Sequence, residues 1–333
     1  MIVQEATFSE RPKIHKNSII ELLRFVMAFS ILFFHSYFPF PTKYFDVGSW
    51  AVSVDFFFVL GGYLLFSSLQ RLQDLSLKQK LGKILGKKLQ KLGLLFVIAS
   101  GLALWEAIYL TMSEPNITNM AYFFGYLWFI FVEIIAIILV ICLVSLVKNK
   151  KIIILLGLLF FVGGYAYFMN FPPPYYRTPT LGYQINFVRS QEPIGYVLRG
   201  MGSLFGGYLL GMLPKINLKV LKLLLSILLT ITVITLVILP YFPYKEVILL
   251  FLFFPLIYFV FQVNFHLPFL DYLGSLSLAL YLLQTSAAIL SYFRLDAQLV
   301  FAFLIIGSVL INAKSLNEFL LTIKNKDFGA FSW

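Results

Sequence analysis

The sequence is poor in charge, poorer still in acid, and nearly without cysteine. Of its 333 residues only 12% are charged, while 60% are hydrophobic. A soluble domain carries about twice that charged fraction, so a water-soluble globule is excluded. A single cysteine forms no intrachain disulfide, and Cys142 sits inside an apolar run, where it reads as a small buried apolar residue. That cysteine and the three histidines offer no zinc-type spacing, so no metal site is expected. Acid is scarcer than base, with 15 Asp and Glu against 26 Lys and Arg and a net charge of +11. The basic excess lies in short clusters between apolar runs, which is the pattern of cytoplasmic loops and argues against a nucleic-acid partner. A cleavable signal is not expected either, because the apolar run from Ile19 is too long and no small-residue cleavage site follows it. No internal repeat between the two halves is visible, and an appended soluble domain is not expected.

What is present is a series of apolar runs of bilayer-crossing length, roughly 17–25 residues each. They fall near 19–38, 47–68, 92–112, 121–147, 152–170, 196–213, 220–240, 246–263, 270–291 and 296–312. The expected fold is all-α, a polytopic transmembrane helix bundle of about ten spans. Residues 1–18 read as a basic cytoplasmic tail, 19–312 as a single transmembrane domain and 313–333 as a cytoplasmic C-terminal tail. With the N-terminus inside, 19 Lys and Arg fall on inside segments and 6 on outside segments and outer span ends, Arg199 among the latter. That bias places both termini in the cytoplasm and the chain as a multi-pass protein of the cell membrane. The sixth span, "YVLRGMGSLFGGYLLGML", is short and glycine-rich, compatible with close helix packing or with a re-entrant path.

Two connections are long. The inner one, "QRLQDLSLKQKLGKILGKKLQK", is basic and partly amphipathic, as an interfacial helix on anionic headgroups is. The outer one, "NFPPPYYRTPTLGYQINFVRSQEPIG", is too proline-rich for a helix and suits an ordered cap. Its Tyr175 and Tyr176 suit either stacking on a sugar ring or an interfacial aromatic belt.

Ionisable groups inside spans are rare and line cavities or pathways. The first span holds Arg24 and His35, with ten uncharged residues between them. Eleven helical steps bring both to one face, roughly 16 Å apart along the axis. Arg24 near the inner headgroups also suits simple snorkelling, paired with Glu21 one turn earlier. His35 suits a hydrogen-bonded interfacial histidine as well as a base. Asp55 lies in the outer or middle part of the second span, in "VDFFFVLGGYLL", and Glu133 lies mid-span in "YLWFIFVEIIAIIL". A carboxylate in hydrocarbon needs a partner, and for Asp55 the nearest candidates in sequence are Arg or His on the preceding helix. Glu106 is a weaker candidate of the same kind.

"ELLRFVMAFSILFFHSYF" and "VDFFFVLGGYLL", followed in order by "KKLQKL", "LWFIFVE", "LRGMGSLFGGYLLG" and "LDYLGSLSLALYLLQ", resemble the integral membrane acyltransferase-3 family from residue 19 to about 290. Members move acetyl or related acyl groups onto surface glycans and other acceptors. The chain departs from the family pattern at Lys88 and Lys91, where two arginines stand, at Gly61, where serine is usual, and at Gln284, which replaces a histidine. The resemblance implies a bacterial-type membrane O-acyltransferase, acetyl being the favoured group, with acetyl-CoA or another acyl-CoA as cytoplasmic donor and co-substrate. The acceptor it implies is a hydroxyl of a surface polysaccharide or lipid-linked glycan, with a lipid headgroup or a small molecule left open. Membrane lipids are the other expected partner.

On that reading His35 is the base that takes the hydroxyl proton, and Asp55 or Glu133 orients it. Arg24, Lys87, Lys88 and Lys91 hold the CoA phosphates, although any of these lysines also serves as an ordinary topology determinant. Two alternatives stay open. One is a transporter or flippase of a sugar- or amino-acid-type substrate, which needs no acyl-CoA. The other is a family member that has lost catalysis, a reading supported by Gln284 and the two lysines.

Overall fold

The computed structural model describes residues 17–35, 52–113, 120–147, 149–170, 175–176, 184–185, 193–214, 218–235, 245–292 and 305–312, together with 317 and 320. The described chain is helical: α1 (Ser18–His35), α2 (Ser53–Arg71), α3 (Leu77–Ser113), α4 (Met120–Leu146), α5 (Lys150–Asn170), α6 (Pro193–Gly211), α7 (Leu218–Val233), α8 (Lys245–Val260) and α9 (Pro268–Tyr292). One short antiparallel pairing joins β1 (Tyr175–Tyr176) to β2 (Gln184–Ile185). Of the tenth expected span only residues 305–312 are described, with helix over 305–311. Most of the proline-rich outer connection lies outside the described residues. Two described helices, Ser53–Arg71 and Phe129–Leu146, are long and apolar enough to cross a membrane, and Leu223–Val233 and Val247–Val260 are shorter apolar helices.

Side-chain contacts fix the direction of each helix. The start of α1 meets the start of α9, where the Ser18 hydroxyl donates to Asp271 Oδ1 at 2.5 Å, so these two helices run in parallel. The start of α1 also meets the end of α8, where Asn17 Nδ2 donates to the Val260 carbonyl at 2.7 Å. Asn17 caps α1 as well, accepting from the Ile19 amide at 3.0 Å. Helix α2 runs parallel to α8, as the Phe56–Phe253 and Tyr63–Phe261 ring pairs show, and therefore opposite to α1. Asp55 therefore lies at the end of the bundle where α1 finishes.

Glycine decides which helices come closest. A side chain on Gly62 would lie 2.7 Å from the Tyr208 amide nitrogen, and one on Gly207 would lie 2.9 Å from Val59 Cα. Helices α2 and α6 thus cross backbone on backbone. On the other side of α6, a side chain on Gly202 would meet the Phe160 carbonyl at 2.9 Å, which brings α5 equally near. The glycine-rich sixth segment is therefore a continuous helix at the centre of the bundle rather than a re-entrant loop. Small residues are what permit such approaches where no hydrophobic driving force separates lipid from protein.

Helix α3 is two helices in sequence. Its backbone breaks at Gly93 (φ 36°, ψ −131°), a conformation open to glycine and strained for any other residue. The break falls where the amphipathic inner connection was expected to hand over to the third span. The first part begins with a reciprocal cap: Gln79 N donates to Ser76 Oγ (3.4 Å) and Ser76 N to Gln79 Oε1 (3.1 Å). Leu77, Leu81, Ile84 and Leu85 pack against the main apolar core, whereas Lys78, Lys83, Lys87 and Lys91 are exposed. Gly93→Ala is expected to cost about 1–3 kcal/mol, the usual range for a residue forced into such a region. Thermal unfolding in detergent measures it, with Gly86→Ala, a helical position with open space around it, as the control.

Candidate functional site

Polar side chains enter the apolar bundle at three depths. At the end where α1 begins, Arg24 Nη1 is paired with Glu21 Oε2 at 2.8 Å, one turn back on the same helix. This is the Glu21 partnership that a cation near the inner headgroups suggested. The surrounding contacts hold the segment firmly. Ser18 Oγ accepts from the Leu267 amide at 2.7 Å while donating to Asp271, and His266 Nδ1 lies 3.1 Å from Asp271 Oδ2. The backbone of α9 passes so near that a side chain on Gly274 would lie 2.8 Å from Glu21 Cα.

At middle depth, Lys88 forms an ion pair with Glu133 of α4. Lys88 shares its helix face with Leu77, Leu81, Ile84 and Leu85, at spacings of eleven, seven, four and three residues, so this face carries it inward. Of the three lysines singled out from sequence, the structure turns Lys88 into the bundle and leaves Lys87 and Lys91 exposed. The Glu133 carboxylate lies beside Gly61 of α2, where an added Cβ would be 3.2 Å from Oε1.

At the end where α1 finishes, Asp55 is enclosed by donors. Arg199 of α6 gives it Nε at 3.0 Å from Oδ1 and 3.1 Å from Oδ2, and Nη2 at 2.5 Å from Oδ2. Tyr165 of α5 donates its hydroxyl to Oδ1 at 2.9 Å. The Ser203 hydroxyl is 3.1 Å from Oδ1, 3.0 Å from the Arg199 carbonyl and 2.5 Å from the Tyr165 hydroxyl. A carboxylate has about four acceptor positions, and these contacts occupy them. The Asp55 side chain is 1% exposed and that of Arg199 9%. The cation that Asp55 needs thus comes from α6, not from the preceding helix, because the glycine contacts bring α6 closest to α2.

His35 closes α1, and its side chain lies outside the described part, as do those of Glu106 and Gln284. Sequence reasoning placed Arg199 among the outer charges and missed its burial. The signal was present in "LRGMGSLFGG": an arginine one residue from the first of four closely spaced glycines belongs to a tightly packed helix, and there it must find an acid.

Among the described residues the bundle thus holds an exposed lysine surface on α3, an inward Lys88–Glu133 pair and a sealed Asp55–Arg199 pair. Residues 17–313 match the family described as "Acyltransferase domain", and the chain belongs to this acyltransferase-3 family of membrane-associated acyltransferases. No curated protein and no solved structure matches it.

Proposed function

We propose that the chain is a multi-pass O-acyltransferase of the cytoplasmic membrane. It moves an acyl group, acetyl in the first instance, from cytoplasmic acyl-CoA to a hydroxyl of a surface polysaccharide or lipid-linked glycan. The observation that carries this reading is that α1 is one unbroken helix from Ser18 to His35. Arg24 and His35 therefore share a face, roughly 16 Å apart along the axis. Arg24 is accessible enough, with its side chain 33% exposed, to meet a phosphate, and the exposed Lys87 and Lys91 add fixed cations on the same cytoplasmic side. These residues fit a donor that carries several phosphates at one end and a thioester at the other.

The acceptor hydroxyl gives its proton to His35 while its oxygen attacks the thioester carbonyl. The carbon–sulfur bond breaks, CoA leaves as thiolate, and the imidazolium returns the proton to sulfur. The products are an ester and free CoA. Asp55 and Glu133 are the two carboxylates offered to orient it. Asp55 lies at the end of the bundle where His35 closes α1, and Glu133 at middle depth.

The test is the mass of the host's surface glycans with the gene deleted, restored, and restored as His35→Ala. An acyl-sized shift is expected with the native gene alone. His35→Ala is expected to lower turnover by about 10²–10⁴-fold, the range for a lost general base. Arg24→Ala is expected to raise the KM for acyl-CoA by about 10–150-fold at similar turnover, as for a lost hydrogen bond to a charged group. Identical spectra in all three strains would overturn the glycan acceptor, and transport activity without acyl-CoA would replace the enzyme by a carrier.

A further inference from the structure

The face of α1 that joins Arg24 to His35 is shut between them. Arg24, Ala28, Ile31 and His35 follow one another at spacings of four, three and four residues, so they share one helix face. Ala28 is 0% exposed and Ile31 1%. The clusters that bury these two residues are joined by aromatic rings. Phe129 of α4 and Tyr281 of α9 belong to the same buried cluster as Ile31, and Phe57 of α2 packs both against that cluster and against the one that holds Ala28. The three rings form a closed triangle, with centroids 6.1, 6.5 and 5.2 Å apart.

Helix register fixes the depth of this triangle from two sides. Ser18 meets Asp271 and Glu21 meets Gly274, both at an offset of 253 residues along the parallel helices α1 and α9. That offset puts Tyr281 level with Ala28, roughly 6 Å beyond Arg24 and roughly 10 Å short of His35. Opposite, α2 and α4 run in parallel, with Phe58 against Phe129 and Gly61 against Glu133. Phe57 and Phe129 therefore stand one turn from the level of the Lys88–Glu133 pair, toward the end where α1 finishes, and Phe57 stops two residues short of Asp55. Between the middle and the outer polar levels lies an apolar layer, made of the three rings and the α1 face they cover.

Such a layer has a physical task where an acyl group is handed from one side of a bundle to the other. A continuous polar path past Arg24, Lys88–Glu133 and His35 would carry water and ions, and water at a thioester competes with the acceptor hydroxyl. A constriction of hydrocarbon side chains excludes both, because wetting it is unfavourable. We infer that Phe57, Phe129 and Tyr281 form a seal across the donor path, and that these rings part to pass the acyl-bearing arm of CoA while its phosphates stay on the cytoplasmic side. The inference rests on the acyl-CoA reading above and adds where the path is closed and by which residues.

The experiment uses the full-length protein in nanodiscs, with Cys142→Ala and a single reporter, Ile31→Cys, and follows its reaction with a charged methanethiosulfonate reagent. The reporter is expected to react slowly while all three rings are present. In Phe129→Ala or Tyr281→Ala it is expected to react about tenfold or more faster, since a buried group reacts only through openings of its surroundings. Saturating acetyl-CoA is expected to protect the reporter in these variants, whereas adenosine 3′,5′-bisphosphate, which has phosphates but no arm, is expected to leave it reactive. Leu256→Cys, at a site 0% exposed in the neighbouring apolar cluster, is a separate reporter expected to stay slow throughout. An alanine variant that speeds both reporters has lost its fold. Phe129→Leu and Tyr281→Leu, which keep an apolar side chain without the ring, then take its place, with a smaller acceleration of the first reporter alone expected. A reporter that is fast with all three rings in place, or as slow without a ring as with it, would overturn the seal. Bound acetyl-CoA that gives no protection would place the arm elsewhere, overturning the path and leaving the donor reading intact. Native protein without affinity for acetyl-CoA would overturn the donor reading itself, and the accessibility of the reporter would then judge the seal alone.

Discussion

Arg199→Ala is expected to destabilise the protein by about 3–5 kcal/mol, the range for removing one partner of a buried ion pair. The unneutralised carboxylate dominates that cost, more than the hydrogen bonds that the guanidinium no longer makes. Asp55 would keep the Tyr165 and Ser203 hydroxyls but would face the bundle interior with no cation. Arg199→Lys is expected to fall between native and alanine, since an ammonium cannot supply the Nε and Nη2 fork that spans both carboxylate oxygens. Thermal unfolding in a single detergent measures all three. The double variant Asp55→Leu/Arg199→Met removes both charges at similar volume, and replacements of that kind are often neutral or stabilising. It is expected to recover most of the loss. A double variant no more stable than Arg199→Ala would sink the account of Asp55–Arg199 as a mutually dependent pair.

The same double variant separates two roles for Asp55. If Asp55 only joins α2, α5 and α6, turnover returns together with stability. If it also orients His35, the protein is folded and inactive. The filled acceptor positions of Asp55 favour the scaffold role on geometric grounds. Glu133, also buried but paired among the described residues with Lys88 alone, is the more adjustable of the two carboxylates.

How much of this was legible in the sequence depends on the distance over which each feature is determined. The helices were legible because a bilayer-length apolar run dictates one locally, and α1, α4, α5, α6, α8 and α9 begin and end within a few residues of the expected spans. The amphipathic helix before Gly93 was legible for the same reason, since its leucine and lysine positions alternate over a single turn. Partnerships were not. Asp55 and Arg199 are 144 residues apart, and Glu133 is 45 residues beyond Lys88. A sequence states that a buried acid needs a cation but not which helix brings it. Arg24 and Glu21 were the legible exception because three residues along a helix is a contact. The difference between Lys88 and its neighbours Lys87 and Lys91 stands midway. The helical period places Lys88 on the leucine face, but the position of Glu133 opposite that face is a product of tertiary packing.

Gly207→Ala is expected to cost about 1–3 kcal/mol or more, although it adds a single methyl group and improves helix propensity. That methyl would lie 2.7 Å from the Val59 carbonyl carbon and 2.9 Å from Val59 Cα. Both are backbone atoms, so no side chain can rotate away and α2 and α6 must separate. Overpacking of this kind costs about 1–3 kcal/mol even where side chains can adjust. Gly62→Ala acts on the same crossing from the other helix, toward the Tyr208 amide nitrogen. Once the helices have moved apart for one methyl, the second adds less, so the double variant is expected to fall short of the sum of the singles. Gly163→Ala and Gly101→Ala are the controls: both lie in helices with open space around the added carbon, and each is expected to stabilise by up to about 0.5–1 kcal/mol. Because the α2–α6 crossing also aims Arg199 at Asp55, Gly207→Ala is expected to weaken the coupling between these two residues in a double-mutant cycle. Unchanged coupling alongside the loss of stability would mean that the ion pair follows the helices as they part, and that the glycines hold the bundle without aiming the arginine.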